Sequence, residues 1–414
     1  MALCGCLLSQ SEGSPVSERI VSPAGRGFLL LDSHPTGCFR SVAQMRAEAG
    51  QRAQLPEDGP VALVIGSSAG YGLAATVVGL ARHGIRGVGI GFERPPGRRT
   101  ATAGWYRTIA TDAIAGELGC DFSFVNADAF ADTTKTDVLD LIAKRFGGLD
   151  YLVYSVAAPR RTDPRTGVTY QSVIKPLGAA HTTKTLEFDS EGTPTLREIG
   201  AEPANDAEAA ATVQVMGGED WSRWITALAE RDLLRDGFRT VALSYIGSTL
   251  TSAIYRDGTI GAAKAHLEAT ADGLSDRLSA VGGRALTSVN GAAVTQASTA
   301  IPGIALYVGV LRAVLAERLQ SPVEQSIQLW DQLTGARPFD LDEAGRIRLD
   351  RWELDPAVQA KVAERWASIT SETVTELADV DWFRTQYRNL YGFDVPGIDY
   401  SRPVEPDLPW PMPR

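Results

Sequence analysis

The run SYIGSTLTSAIYRDGTIGAAKAHLEA carries Tyr245, Tyr255 and Lys264, and these three side chains suit one kind of chemistry. A phenol can give a hydrogen bond, or a proton, to an oxygen that turns negative during a reaction. An ammonium close to that phenol favours its ionised form and lowers its pKa. Lysine serves this better than arginine, because a compact point charge reaches both a phenol and the hydroxyls of a sugar. The chain uses lysine sparingly: six of its 40 basic residues, at 135, 144, 175, 184, 264 and 361. The plainer reading is a buried tyrosine and an exposed lysine that share a spacing by chance.

Residues 65–74, IGSSAGYGLA, offer a second chemistry. Gly66, Gly70 and Gly72 lie between an apolar run, VALVI, and AATVVGLARHG, which has helical periodicity. Strand, glycine turn and helix make a phosphate cradle, since a helix N-terminus presents free N–H groups and the positive end of its dipole. Alone, the pattern equally describes an ordinary tight turn. Glu93 ends the next strand, some 27 positions beyond Gly66, where a carboxylate accepts the adenosine ribose hydroxyls and repels a 2′-phosphate. That selects NADH over NADPH, although Arg94, Arg98 and Arg99 beside it could welcome a phosphate. Asp128-Ala129 follows a third strand and can take the adenine amino group. Ser155-Val156-Ala157-Ala158 follows a fourth, where small residues let the nicotinamide ribose approach. Glu93 also reads as surface charge and Asp128 as a helix cap, but four signals in register point to a nucleotide-binding fold.

The elements that must hold these residues alternate over 60–158: PVALVIG, a helix to about 83, GVGIGF, a helix through 107–118, FSFVNAD, a helix over 132–146, and DYLVYSVAA. The pattern predicts an α/β fold, a Rossmann-type doubly wound parallel sheet with helices on both faces. Such sheets bind ligands at the carboxyl ends of their strands. GFLLLD (27–32) reads as another strand, and 159–210 as polar loop. Helix and strand resume with EDWSRWITALAERDLL and TVALSYIG, and TSVNGAAVTQAS is a strand running into a loop. Extra C-terminal helices follow, one opened by Asp355-Pro356, a cap and first-turn pair. The expected organisation is a flexible extension over 1–18, a single Rossmann-type domain over 19–400, and a Pro-rich extended tail over 401–414.

Composition narrows the function classes. The 414 residues are 44% hydrophobic and carry a net charge of −10, which argues against nucleic acid or an anionic membrane as partner. GIALYVGVLRAVLA is broken by Arg312 and reads as a buried helix, so no membrane insertion is expected. MALCGCLL lacks the basic start of a signal peptide, which suggests a cytoplasmic protein. Four cysteines make no disulfide framework, and Cys4-x-Cys6 has no histidines nearby to complete a metal site.

The chain resembles the NADH-dependent trans-2-enoyl-CoA/enoyl-ACP reductases of the FabV type, distant members of the short-chain dehydrogenase/reductase superfamily. The likeness covers about residues 20–400 and includes RGFLLLDSHPTGC, VIGSSAGYGLA, GFERPPGRRTATAGWY, VYSVAAPRRTDPRTG, VMGGEDW, the Tyr245…Tyr255…Lys264 run and LYGFDVPGIDY. It implies that Tyr255 is the proton donor, Lys264 a cofactor contact and Tyr245 a substrate contact. It also implies NADH contacts at Gly66, Ser67, Ser68, Ala69, Gly70 and Tyr71, at Phe92 and Glu93, at Asp128 and Ala129, at Val156 and Ala157, and at Ala293, Val294 and Thr295. Two departures stand out: Ser67 and Ala69 in a turn that often reads GASTGYG, and Ala265 where a second lysine is common. The implied reaction is saturation of an enoyl-CoA or enoyl carrier-protein thioester in fatty acid synthesis, by a monomer or weak oligomer. TQASTAIPGIALYVGVL is a candidate lining for the acyl chain, and Arg160 and Arg161 candidate contacts for a carrier phosphate. A carbonyl (3-ketoacyl) reductase and a non-catalytic NADH sensor are the alternatives.

Overall fold

The computed structural model describes residues 18–413 apart from 51, 53, 57 and 190. The expected N-terminal extension, with Cys4 and Cys6, lies outside the described residues but for Glu18. Seven strands form the central sheet: β1 (Val61–Ile65), β2 (Arg86–Gly91), β3 (Phe122–Asn126), β4 (Leu149–Tyr154), β5 (Leu234–Ser244), β6 (Arg284–Val289) and β7 (Ile347–Arg348). All pair in parallel, in the order β7-β6-β5-β4-β1-β2-β3. The chain winds outward from β1 in one direction and, from β4, in the other, so the Rossmann-type expectation holds. The reversal falls between β1 and β4, where such sheets open a crevice.

β1 shows why the sheet lies in the middle. Its sequence VALVI is buried at every position, as a strand covered on both faces must be. Alternation then divides the core. Val61, Leu63 and Ile65 pack on one face with α4 (Asp132–Phe146), α6 (Glu219–Glu230) and α7 (Thr259–Leu278). Ala62 and Val64 pack on the other with α2 (Gly70–Val78) and α9 (Pro322–Leu333). On that second face, the Trp330 indole N–H donates to Ala75 O at 2.8 Å and ties α9 to α2. The remaining helices are α1 (Pro35–Ala49), α3 (Ala103–Glu117), α5 (Asp206–Met216), α8 (Ile304–Leu315), α10 (Pro356–Ser368), α11 (Val374–Leu377) and α12 (Val380–Asn389). α8 is the buried helix expected from GIALYVGVLRAVLA, and α10 and α12 close over it. Among the described residues no helix is long and apolar enough to cross a membrane.

Several expectations need correction. Leu29–Leu30 pairs with Gly25–Arg26 in a small hairpin of its own and does not join the main sheet. The stretch 159–210 holds two hairpins, Arg160–Thr162 with Thr169–Gln171 and His181–Phe188 with Pro194–Ala201. Their residues alternate without a strongly apolar face, because neither hairpin covers the central core. α3 starts at Ala103, a turn earlier than its periodicity suggests. The proline-rich tail is extended but held: Tyr106 OH donates to Pro406 O at 2.6 Å and Trp410 Nε1 to Phe124 O at 3.0 Å.

One of the scarce lysines is sealed in this framework. Lys135 Nζ donates to Asp220 Oδ1 at 2.7 Å and to the carbonyls of Ala129 and Phe130 at 2.8 and 3.1 Å. Tyr154 OH donates to the other Asp220 oxygen at 3.1 Å. The cluster ties the loop after β3 to α4, α6 and the end of β4. Removing one member leaves a buried charge without its counter-ion, the costly way to break such a pair. Lys135→Met is expected to lower unfolding free energy by roughly 3–5 kcal/mol, and Lys135→Met/Asp220→Leu to recover more than half of that loss. Urea unfolding of the two variants checks this; equal losses would refute it.

Candidate active site

The glycine turn after β1 needs its glycines. Gly66 and Gly70 have φ of 87° and 54°, the left-handed region that side chains resist. A Cβ on Gly66 would lie 1.9 Å from Ser155 O, and one on Gly72 would lie 2.0 Å from Gly66 O. These close approaches bring the first turn of α2 down between the ends of β1 and β4. Ala69 is the N-cap of α2 and supplies no side-chain cap, and the first turn holds no acidic residue. Its N–H groups are therefore available to an anion, as a diphosphate requires. Ser67 turns its hydroxyl inward, where it is buried. The opposite wall of the cradle is the loop after β6. Tyr71 OH donates to Gly291 O, and a Cβ on Gly70 would lie 3.7 Å from Thr295 Cγ2. Ser298 Oγ donates to Ala293 O at 2.9 Å and accepts from Thr295 N–H, which shapes the segment. Val294 packs against the C-terminal helices.

Glu93 stands at the carboxyl end of β2. Its N–H donates to Asn126 Oδ1 at 2.7 Å, and Asn126 Nδ2 returns a bond to Glu93 O at 3.0 Å. Its carboxylate accepts from Ser68 Oγ at 2.6 Å and from Thr102 Oγ1, and it sits close over Gly104. A carboxylate held by the glycine turn on one side and α3 on the other is no loose surface charge. Phe92 beside it is 74% exposed, an aromatic face open to a base. Asp128 accepts from Phe130 N–H at 2.9 Å in the loop before α4, but it does not cap that helix, whose N-cap is Ala131 without a side-chain bond. Ala129 and Val156 pack on the core beneath this edge, and Ala157 is exposed above it.

Tyr245 leaves the end of β5, and Tyr255 lies in the turns that precede α7. Their rings meet edge to face, 4.7 Å between centroids at 80°. A Cβ on Gly261 would lie 2.4 Å from Tyr255 O, so this glycine lets the first turn of α7 abut the tyrosine backbone. Lys264, on the second turn, reaches back to donate to Leu243 O at 3.3 Å. Burial pushes its ammonium down to about 8, against the opposing pull of Glu268. The three side chains thus converge on the carboxyl end of β5.

The phenol departs from expectation in one respect. Burial pushes the Tyr255 pKa up, and the nearby Glu353 carboxylate and Tyr71 push it further. The ammonium was expected to lower it, but Lys264 Nζ bonds to Leu243 O, and the groups that act on this phenol are its burial, Glu353 and Tyr71. Tyr255 is accordingly a neutral acid that keeps its proton. Among the described residues no hydrogen bond holds its hydroxyl, whereas Tyr245 OH donates to Glu353 Oε1 at 2.8 Å.

Glu353 is the residue that sequence reasoning missed. It is 0% exposed, and its Oε1 accepts from Tyr307 OH at 2.8 Å as well as from Tyr245. Its Oε2 accepts from Ala292 N–H. Two residues before the Asp355 cap, it reads in the sequence as part of the loop that leads into a helix. Arg161 is a second correction. It is buried, bonded to Glu219 and to Gln214 O, and stacked over Phe130, so it cannot meet a carrier phosphate. Arg160 remains exposed.

Three family models match the chain in turn. The NAD(P)H binding domain of trans-2-enoyl-CoA reductase matches residues 20–98, the trans-2-enoyl-CoA reductase catalytic region 99–334, and the enoyl reductase FAD binding domain 341–404. The first agrees with the uncapped glycine turn and Glu93. The last does not fit the residues it covers. The N-termini of α10 and α12 are capped by the carboxylates of Asp355 and Asp379, which would repel a flavin's diphosphate, and their apolar faces are closed against α8.

An enoyl-[acyl-carrier-protein] reductase [NADH] of Streptomyces avermitilis is 72% identical over 391 residues, 94% of this chain and 100% of that one. Its counterpart in Pseudomonas paraeruginosa is 42% identical over 393 residues, covering 94% and 98%. Trans-2-enoyl-CoA reductase of Treponema denticola in complex with NAD superposes with a TM-score of 0.86 at 40% identity, covering 94% of this chain and 98% of that one. The Clostridium acetobutulicum enzyme in complex with NADH gives 0.87 at 34% identity, with the same coverage. With its parallel sheet, glycine turn and buried tyrosine pair, this chain belongs to the trans-2-enoyl-CoA reductase family and is an NADH-dependent enoyl reductase.

Proposed function

We propose that the chain saturates the trans-2 double bond of an enoyl thioester, with Tyr255 as proton donor, Tyr245 as the second hydroxyl on the thioester oxygen, and Lys264 as the cation at the nicotinamide ribose. NADH, when bound, supplies a hydride to the β-carbon. Charge then moves to the thioester oxygen as an enolate, and a proton at the α-carbon completes the saturated acyl thioester. The protein aligns the partners and stabilises that oxygen. The observation that carries this reading is the Tyr255 hydroxyl: neutral, unclaimed by any described residue, and in ring contact with Tyr245.

Lys264 suits its role because its ammonium is held at Leu243 O, close to the end of β5 from which Tyr245 leaves. The acyl chain would lie along α8, where Ile304 joins Ile260 and Leu186 in one apolar cluster with Tyr255. The thioester chemistry is the same on coenzyme A and on a carrier protein, and either carrier fits a cytoplasmic role in fatty acid synthesis.

Tyr255→Phe is expected to cut crotonyl-CoA-dependent NADH oxidation by ~10²-fold or more, with NADH affinity changed less than about threefold. Retention of more than a tenth of the wild-type rate would refute the donor role. Acetoacetyl-CoA, tested alongside, should support little oxidation; a faster rate with it would favour carbonyl reduction. Glu93→Ala removes the charge that meets a 2′-phosphate. It should raise kcat/KM for NADPH relative to NADH by roughly tenfold, and an unchanged ratio would dismiss Glu93 as the selector.

A further inference from the structure

We infer that Glu353, brought in by the C-terminal segment, is a positioning residue that sets the direction of the Tyr245 hydrogen bond and so decides whether Tyr245 can hold the thioester oxygen. The inference rests on the proposed reaction and deepens it. A hydroxyl has one hydrogen. While Glu353 is ionised it can only accept, so Tyr245 OH spends its hydrogen on Oε1, at 2.8 Å, and has none for an enolate. Once Glu353 carries a proton on Oε1, it donates to Tyr245, whose own hydrogen is then released toward the substrate. Tyr307 continues to donate to Oε1, and Ala292 N–H continues to hold Oε2, so the carboxyl group does not move when it changes role.

The surroundings favour the protonated form near neutrality. Burial pushes the Glu353 carboxyl up to about 7, opposed by the hydrogen bonds from Tyr307, Tyr245 and Ala292 and assisted by Asp350. Each element packed around it contributes a group. Tyr245 comes from the end of β5, Tyr255 from the turns before α7, Tyr307 from α8 and Tyr71 from α2. Gln359 of α10 donates to Tyr307 OH at 3.1 Å and to Glu353 O at 2.7 Å, which steadies both without adding charge. Asp350 is paired with Arg348 at 2.7 Å, so its charge is largely answered. No cation among the described residues bonds to the Glu353 carboxylate itself.

The test is the pH profile of kcat/KM for crotonyl-CoA with saturating NADH, in the full chain, from about pH 6 to about pH 8.5. Wild type should lose roughly tenfold between pH 6 and pH 8, the course of one group titrating near 7. In Glu353→Gln the amide donates to both tyrosines at every pH, as the protonated acid does to Tyr245, so the fall centred near pH 7 should be absent, and what remains near pH 8 belongs to Lys264. Tyr245→Phe should also abolish the limb, at a lower rate, because the hydroxyl that the carboxylate captures is gone. An unchanged limb in Glu353→Gln, or in Tyr245→Phe, would overturn the inference. Should Glu353→Gln not fold, by its circular dichroism, Tyr245→Phe decides alone. A wild type inert toward crotonyl-CoA at every pH would instead overturn the proposed reaction, and the two failures are distinct.

Discussion

The site depends on one alignment, the level ending of parallel strands. Ile65 lies opposite Ile90 and opposite Tyr154, Gly91 opposite Asn126, and Ser244 opposite Val289. Residues that follow these positions therefore reach a common edge although they come from distant parts of the chain. Gly66 meets Ser155 there, Glu93 meets Asn126, and Ser244 meets Asn290 at the start of the loop after β6. A shift of one residue in any pairing would turn each strand's side chains to the opposite face. In β1, Leu63 and Ile65 fill one face and the smaller Ala62 and Val64 the other, so a slip would misfit both close-packed sides. The chemistry at the edge is thus secured by apolar packing well below it.

Burial also decides the electrostatics. Every titratable group at the catalytic end is shifted toward its neutral form: Tyr245, Tyr255 and Tyr307 upward, Glu353 upward, and Lys264 downward. A phenol beside an ammonium would be the more acidic for it, but what acts on Tyr255 here is burial and the Glu353 carboxylate, which push it the other way. A site built this way starts with neutral phenols and little negative charge. It is prepared for a negative charge that arises only when the substrate oxygen becomes an enolate, and that is where stabilisation raises the rate.

The strands β1 to β4 were legible because each is a short apolar run closed by glycine, acid or serine, with a helical pattern before the next. The two candidate tyrosines and Lys264 were legible for a different reason, since few residue pairs suit hydride chemistry and lysine is scarce here. β7 was not, because two residues, Ile347 and Arg348, carry no period. The hairpins between 160 and 201 were not, because half-exposed strands such as HTTKTLEF lack a clean apolar face. Glu353 lies 108 residues beyond Tyr245, and its neighbours in sequence announce a helix cap. Only the fold of α8 and α10 against the sheet reveals that this glutamate points inward.

That placement bears on why a carboxyl group stands in such a core at all. A buried carboxylate takes the Tyr245 hydrogen for itself, and a developing enolate then lacks the bond that would stabilise it. A chain selected only for stability would place a leucine or a glutamine there. A group that titrates near neutrality behaves differently: protonated, it adds no charge and passes a hydrogen bond through Tyr245 to the substrate. The cost of the charged form and the benefit of the neutral form then fall on the same few atoms. Tyr245, Tyr307 and the Ala292 N–H hold those atoms in one geometry for both states, so a proton alone separates a hindering site from a helping one.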